Sequence, residues 1–249
     1  MEKRPQGNDQ DIGDSHGVLP LDGAFFDGLY GLSGDKVLEK VLNHPDCPRL
    51  IQTMSSEDFF WLNNKVGADG SLELLKLASL EQWQYILDVD SWQKDRMELN
   101  RTGQWMLRLL TADPERFIQW LISDQEGLVY YYLYRSILVE VRNEDEELFE
   151  AGPEFFTIDG FFYIRPIRED QRETIEALIR TMAQEDTLKY QALLTMLAGV
   201  LPAELEEDMY RIRNVRLAEH GFLPREEAMA VYAPLNPESL KTKKQGASA

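Results

Sequence analysis

Helix start signals recur along this chain at intervals too short for long helices. Ser55 stands three residues before Asp58, Ser79 three before Gln82 and Asp90 three before Gln93, the spacing of a capping box or a close variant. Each sets a side-chain oxygen where it can accept from the free amides of a first helical turn. Asp113 precedes Pro114, and proline suits the first helical position because its missing N–H would be unpaired there anyway. These signals predict short helices over 56–66, 71–77, 80–88, 91–110 and 114–123, joined by tight connections.

Within 91–110 the apolar positions Trp92, Met97 or Leu99, Trp105, Met106, Leu109 and Leu110 keep an imperfect helical period, and Arg101-Thr102-Gly103 is a weak point. A longer helix is expected from about Gly127 to Val141, where the Tyr-rich run is apolar nearly all round and so belongs inside. From Arg168 onward the helical period returns, with Ile175, Leu178, Ile179 and Met182 at core spacing. Further helices follow over about 187–199, 203–219 and 224–232.

One segment breaks this pattern. Phe155-Phe156-Thr157-Ile158 and Phe161-Phe162-Tyr163-Ile164 flank Asp159-Gly160, the dipeptide that most readily takes the two positive φ values of a type I′ turn. In that register Ile158 faces Phe161 and Phe156 faces Tyr163, while Thr157 faces Phe162 and Phe155 faces Ile164. Both faces are then apolar. An isolated hairpin is marginal in water, so this one must be clamped between helices, extended by another strand or inserted into a partner.

The fold class that follows is mainly α: stacked short helices, superhelical or repeat-like, with one small β-hairpin insertion. The expected division is a tail over 1–18, a helical-repeat region over 19–142, an acidic linker over 143–153, a hairpin plus helical region over 154–237, and a second tail over 238–249. The linker is marked by Asn143-Glu144-Asp145-Glu146-Glu147 and by Gly152-Pro153. Both tails are poor in large apolar groups and are expected to be mobile.

Composition narrows the function. With 44 Asp and Glu against 26 Lys and Arg, the formal charge of -18 repels phosphate backbones and anionic membranes, so nucleic acid is not an expected partner. The most apolar run, Leu128 to Tyr134, is interrupted by Arg135 and falls short of the ~20 residues that span a bilayer, so no membrane insertion is expected. A single cysteine, Cys47, and a polar N-terminus fit a soluble cytoplasmic chain.

Across roughly residues 50 to 237 the chain resembles a family of uncharacterised bacterial proteins classed as a domain of unknown function. The phrases that carry the likeness are Glu73-Leu74-Leu75-Lys76-Leu77-Ala78-Ser79-Leu80-Glu81-Gln82, Leu87 to Arg96, the hairpin Phe156 to Ile164, and Arg216-Leu217-Ala218-Glu219-His220-Gly221-Phe222. Membership implies no activity, and members of the family are generally longer. Met54 to Asp90 is also similar to the short Leu-rich helical repeats in the N-terminal superhelical domain of MgtE-type magnesium transporters. That likeness implies a right-handed stack of short helices and transfers none of the transporter's magnesium sites.

Three constellations carry candidate chemistry. Asp88, Asp90 and Asp95 cluster around Trp92, and oxygen ligands so spaced suit a hard divalent cation. They lack the glycine and the terminal Glu of a calcium loop, and capping explains Asp90 while solvation explains Asp95. Arg211, Arg213 and Arg216 form the one dense basic cluster, a candidate anion site, although Glu207 four residues before Arg211 and Glu219 three after Arg216 are placed to pair with them. Trp83, Trp92 and Trp105 are core candidates first, and an aromatic binding groove between stacked helices second.

His44 and Cys47 are close enough to suggest an activated thiolate, but the flanking prolines describe a plain turn. No Gly-rich phosphate loop, zinc-spaced set, dinucleotide fingerprint or nucleophile elbow appears, so no catalytic residue and no cofactor is assigned. The expected function is a noncatalytic helical scaffold or regulatory module that binds a protein partner or itself. The alternative is an enzyme, or a sensor of a ligand or divalent metal, built on the clustered carboxylates.

Overall fold

Ser55 Oγ accepts from the amide of Asp58 at 3.1 Å and opens a helix over Ser56–Val66. Ser79 and Gln82 complete a reciprocal capping box at the start of Leu80–Asp90, and Asp113 caps Pro114–Ser123. These local bonds set the frame of a computed structural model that describes residues 23–68, 70–142, 152–199, 203–223 and 225–231. Both tails expected at 1–18 and 238–249, and all but the last two residues of the expected linker, lie outside the described residues.

In chain order the first helices are α1 (Gly23–Asp27), α2 (Gly34–Leu42), α3 (Cys47–Thr53), α4 (Ser56–Val66), α5 (Ser71–Leu77) and α6 (Leu80–Asp90). After them come a two-stranded ribbon, β1 (Trp92–Gln93) and β2 (Arg96–Met97), and then α7 (Leu99–Ala112), α8 (Pro114–Ser123) and α9 (Glu126–Ser136). A three-stranded sheet follows, built from β3 (Ile137–Val141), β4 (Phe156–Thr157) and β5 (Phe162–Pro166). The described residues end in α10 (Arg172–Glu185), α11 (Thr187–Leu197), α12 (Leu205–Glu219) and α13 (Arg225–Val231).

The fold is mainly α. α2 packs on α4, α3 on α5, α4 on α6 and α5 on α7, so each short helix leans on the one two positions ahead. Cross-ties reinforce the stack: Gln82 Nε2 donates to the carbonyls of Ile51 and Met54, and the Trp83 indole N–H donates to Leu75 O at 2.9 Å. α10 packs on α7 and α8, and one continuous cluster of buried apolar side chains runs from Leu29 to Leu197. No helix among the described residues is long and apolar enough to cross a membrane.

Several local expectations are corrected. The helix expected from Ser91 begins only at Leu99, because Lys94 takes φ 61° and the chain folds back on itself, pairing Trp92 with Met97. Glu98 is the cap, accepting from the amides of Asn100 and Arg101. The helix then runs through Arg101-Thr102-Gly103 unbroken. Gly103 is needed there for close approach, since a Cβ at that position would stand 2.6 Å from the buried Tyr132 hydroxyl.

The helix expected to Val141 stops at Ser136, and Ile137–Val141 is a strand. It pairs antiparallel with β5 from Ile137–Pro166 to Val141–Phe162, which makes β5 the centre of the sheet. The apolar hairpin is therefore extended by another strand, and the small β content among the described residues is two sheets instead of one hairpin. Its register also differs by one residue, with Phe156 opposite Ile164 and Thr157 opposite Tyr163. Of the turn residues only Gly160 takes a positive φ, 70°, so no type I′ turn forms. Asp159 instead accepts from the amides of Phe161 and Phe162, and Thr157 Oγ1 accepts from Gly160.

Candidate functional site

Asp88 lies in the last turn of α6, where the unpaired carbonyls of a helix end disfavour a carboxylate. It is nonetheless buried, and the reason is Arg216 of α12. The guanidinium donates through Nε to Oδ2 and through Nη2 to Oδ1, both at 2.6 Å, in a two-pronged pair across 128 positions of sequence. Gln84, one turn earlier on α6, donates to Oδ1 at 3.2 Å and accepts in turn from Gln125.

Arg213 holds the same helix by other means. Its Nε donates to the Asp88 backbone carbonyl at 2.5 Å, and its guanidinium lies over the rings of Trp92 and Tyr210, 5.6 and 5.9 Å from their centroids. Burial pulls its pKa below the usual guanidinium value, against the opposing charge of Asp88. At the start of α12, Glu206 accepts from the Met97 amide at 3.2 Å. Burial, with Glu206 close by, pushes the Tyr131 phenol up to about 12. The far end is closed by His220, whose Nδ1 is 2.8 Å from Glu57, and by Gly221 at φ 81°. Phe222 N–H donates to Leu217 O and Gly221 N–H to Ala218 O, the paired bonds of a Schellman stop.

Docking α12 in this way leaves two clefts between it and the body, besides an open hollow of about 470 Å³ lined by α12 residues alone. One, of about 140 Å³, lies between α6, the α8–α9 connection and α12, with Gln84, Asp88, Trp92, Gln125, Met209, Ile212 and Arg216 in its walls. The polar groups at its floor are already bonded to one another. The other, of about 200 Å³, is lined by Lys94, Tyr210, Arg213, Asn214, Leu217, Phe222 and Leu223.

The residues singled out from sequence separate into different environments. Asp88 is saturated by Arg216, Asp90 accepts from the Trp105 indole at 2.8 Å and from Arg101 at 3.4 Å, and Asp95 is exposed. Among the described residues no three His, Cys, Asp or Glu side chains converge as a metal set. Arg211 is exposed and pairs with Asp208 at 2.9 Å, not with Glu207, and Arg216 reaches Asp88 instead of Glu219. Trp83 and Trp105 are buried in the core, while Trp92 stands half-buried at the first cleft.

Sequence reasoning passed over Lys94, Tyr210 and Asn214. The spacing of Tyr210, Arg213 and Leu217 at i, i+3 and i+7 was the available signal, since it sets all three on one face of a helix.

Cys47 opens α3 with only 6% of its surface exposed, and burial pushes its thiol up. His44 Nδ1 accepts from the Asp46 amide at 3.2 Å, so the nearby imidazole is engaged elsewhere. A raised pKa means less thiolate at neutral pH, the reverse of activation. A disulfide reagent at pH 8 should therefore label the native protein at least about tenfold more slowly than the urea-unfolded chain. Equal rates would show an open, activated thiol.

No curated protein and no solved structure matches the chain. A family model matches residues 24–249, which includes every residue of both clefts and of the α12 docking contacts. The chain belongs to that family, DUF6178, a family of unknown function.

Proposed function

We propose that this protein is a noncatalytic helical interaction module of the cytoplasm, and that the outer side of α12 receives a basic protein partner. One observation carries the reading. α12 is fifteen residues long, yet Leu217 is its only buried residue, while Ile212 and Val215 stand 52% and 60% exposed. The chain beyond it continues in kind, with Phe222, Leu223, Met229 and Val231 all exposed. Apolar side chains held out by a helix that charged contacts have already docked suit a partner's apolar ridge.

Charge selects the kind of partner. Glu207, Asp208 and Glu219 are exposed along the same helix, and the whole chain carries -18, which opposes pairing with a second copy and favours a cationic surface. The absence of catalytic motifs agrees with this reading, and the saturated carboxylates of Asp88 and Asp90 leave little for acid–base or metal chemistry.

The test places a photo-crosslinking residue at Ile212 in living cells, with the exposed Leu188 as a control position. The expected product is an adduct with a protein of net positive charge, lost in Val215→Lys and at salt of about 0.5 M. An adduct only with another copy of this chain, or none above the Leu188 control, would overturn the reading.

A further inference from the structure

The cleft between the β1–β2 turn and α12 runs against the charge of the chain as a whole. In a chain of net charge -18, the side chains lining it include two cations, Lys94 and Arg213, and no carboxylate. The nearest buried acid, Asp88, is neutralised by Arg216. Arg213 spends Nε on the Asp88 carbonyl and Nη1 on Asn214, at 2.5 and 3.1 Å. Among the described residues its Nη2, the Lys94 ammonium and the Tyr210 hydroxyl donate to no protein acceptor.

These donors are also prearranged. The Arg213 guanidinium is fixed between hydrogen bonds and the Trp92 and Tyr210 rings, so its remaining face is presented with little freedom to lose on binding. Lys94 is the only residue other than glycine at positive φ among the described residues, a backbone state that an L side chain adopts at a cost. Glycine or asparagine would relieve that cost, and strain of this kind gathers where a side chain has a task. Opposite the cations, Phe222 and Leu223 stand 45% and 51% exposed and give the cleft an apolar wall.

We propose that this cleft binds a small organic anion, a phosphate or carboxylate group carried on an apolar or aromatic body. The anionic group meets Lys94, Arg213 and Tyr210, and the body lies on Phe222 and Leu223. A volume of about 200 Å³ limits the ligand to roughly one ring and its charged group. The cleft shares Phe222 and Leu223 with the apolar surface proposed for a partner, but Ile212 and Val215, on which the partner test rests, do not line it, so the two proposals fail separately.

Calorimetric titration of the full chain with phenyl phosphate, benzoate, inorganic phosphate and benzyl alcohol tests the proposal and separates phosphate from carboxylate. Saturable one-to-one binding of phenyl phosphate or benzoate is expected, at least about tenfold tighter than inorganic phosphate or benzyl alcohol. Lys94→Ala should weaken it by about tenfold. Lys94→Gly should weaken it as much while melting at or above the wild-type temperature, because it loses the cation and relieves the backbone. Arg211→Ala, exposed and away from the cleft lining, should bind as wild type does. The proposal is overturned if neither aryl anion binds saturably up to about 10 mM, or if both Lys94 variants bind as tightly as the parent.

Discussion

Arg216→Ala should destabilise the protein by about 3 kcal/mol and release α12 from the body. The Asp88 side chain is only 5% exposed and both its oxygens are held by Arg216 at 2.6 Å, so truncating the arginine leaves a buried carboxylate at a helix C-terminus. Breaking a buried pair from one side costs ~3–5 kcal/mol. The lower end applies because the Arg216 side chain itself is 34% exposed and water can reach that side of the pair. Arg216→Lys keeps the charge but not the two-pronged geometry, and should cost about half as much. Replacing both partners with leucine removes the orphaned charge and should recover most of the loss. Urea unfolding supplies the free energies, and hydrogen exchange of the α12 amides shows whether the helix has come away. Arg216→Ala within about 1 kcal/mol of wild type, with α12 still protected, would show that other contacts hold the helix.

That pair also marks the limit of what the sequence discloses. Caps were legible because they act over three residues: Ser55, Ser79 and Asp113 each open the helix their spacing predicts. The same logic misread Asp90, whose distance to Gln93 imitates a cap while its carboxylate is taken by Trp105 and Arg101, fifteen and eleven positions away. Ile137–Val141 reads as the continuation of an apolar helix because its pairing partner, β5, begins more than twenty residues later. β-structure depends on such nonlocal pairing, and single-sequence periodicity cannot weigh it.

The candidate site divides along the same line. Arg213, Arg216 and Trp92 were visible as a basic cluster and an aromatic on helix-rich sequence, but their partners were sought within one turn. Neighbours three or four residues apart suggested Glu207 and Glu219 as partners, whereas the structure pairs Arg211 with Asp208 and sends Arg216 across 128 positions to Asp88. Lys94 fell in the first turn of the helix expected over 91–110, a setting in which its positive φ could not be foreseen. Only tertiary packing brings the β1–β2 turn to the face of α12 that carries Tyr210 and Arg213.

Trp83→Ala should be the most damaging single truncation, at about 4 kcal/mol, and should act on folding with no separate effect on binding. The side chain is fully buried between α5, α6 and α8. Its ring meets Phe117 and Trp120 edge-on, with centroids 6.2 and 5.9 Å away, and its indole N–H donates to Leu75 O. Arg116 lies over it at 4.4 Å and donates to the Ala78 carbonyl, so the same ring sets the position of a half-buried cation. Alanine removes the ring, the hydrogen bond and the surface on which Arg116 rests, and leaves a cavity that rigid helix backbones cannot close. Trp83→Phe keeps much of the volume. It should cost about 1–2 kcal/mol, since Leu75 O retains a bond from the Ala78 amide. Denaturant midpoints and the phenyl phosphate titration separate the roles. A core pillar lowers stability in both variants, steeply for alanine, while the folded fraction binds with unchanged affinity. A Trp83→Ala protein that melts like wild type but loses ligand or partner would move Trp83 to the groove-lining role that the sequence placed second to the core.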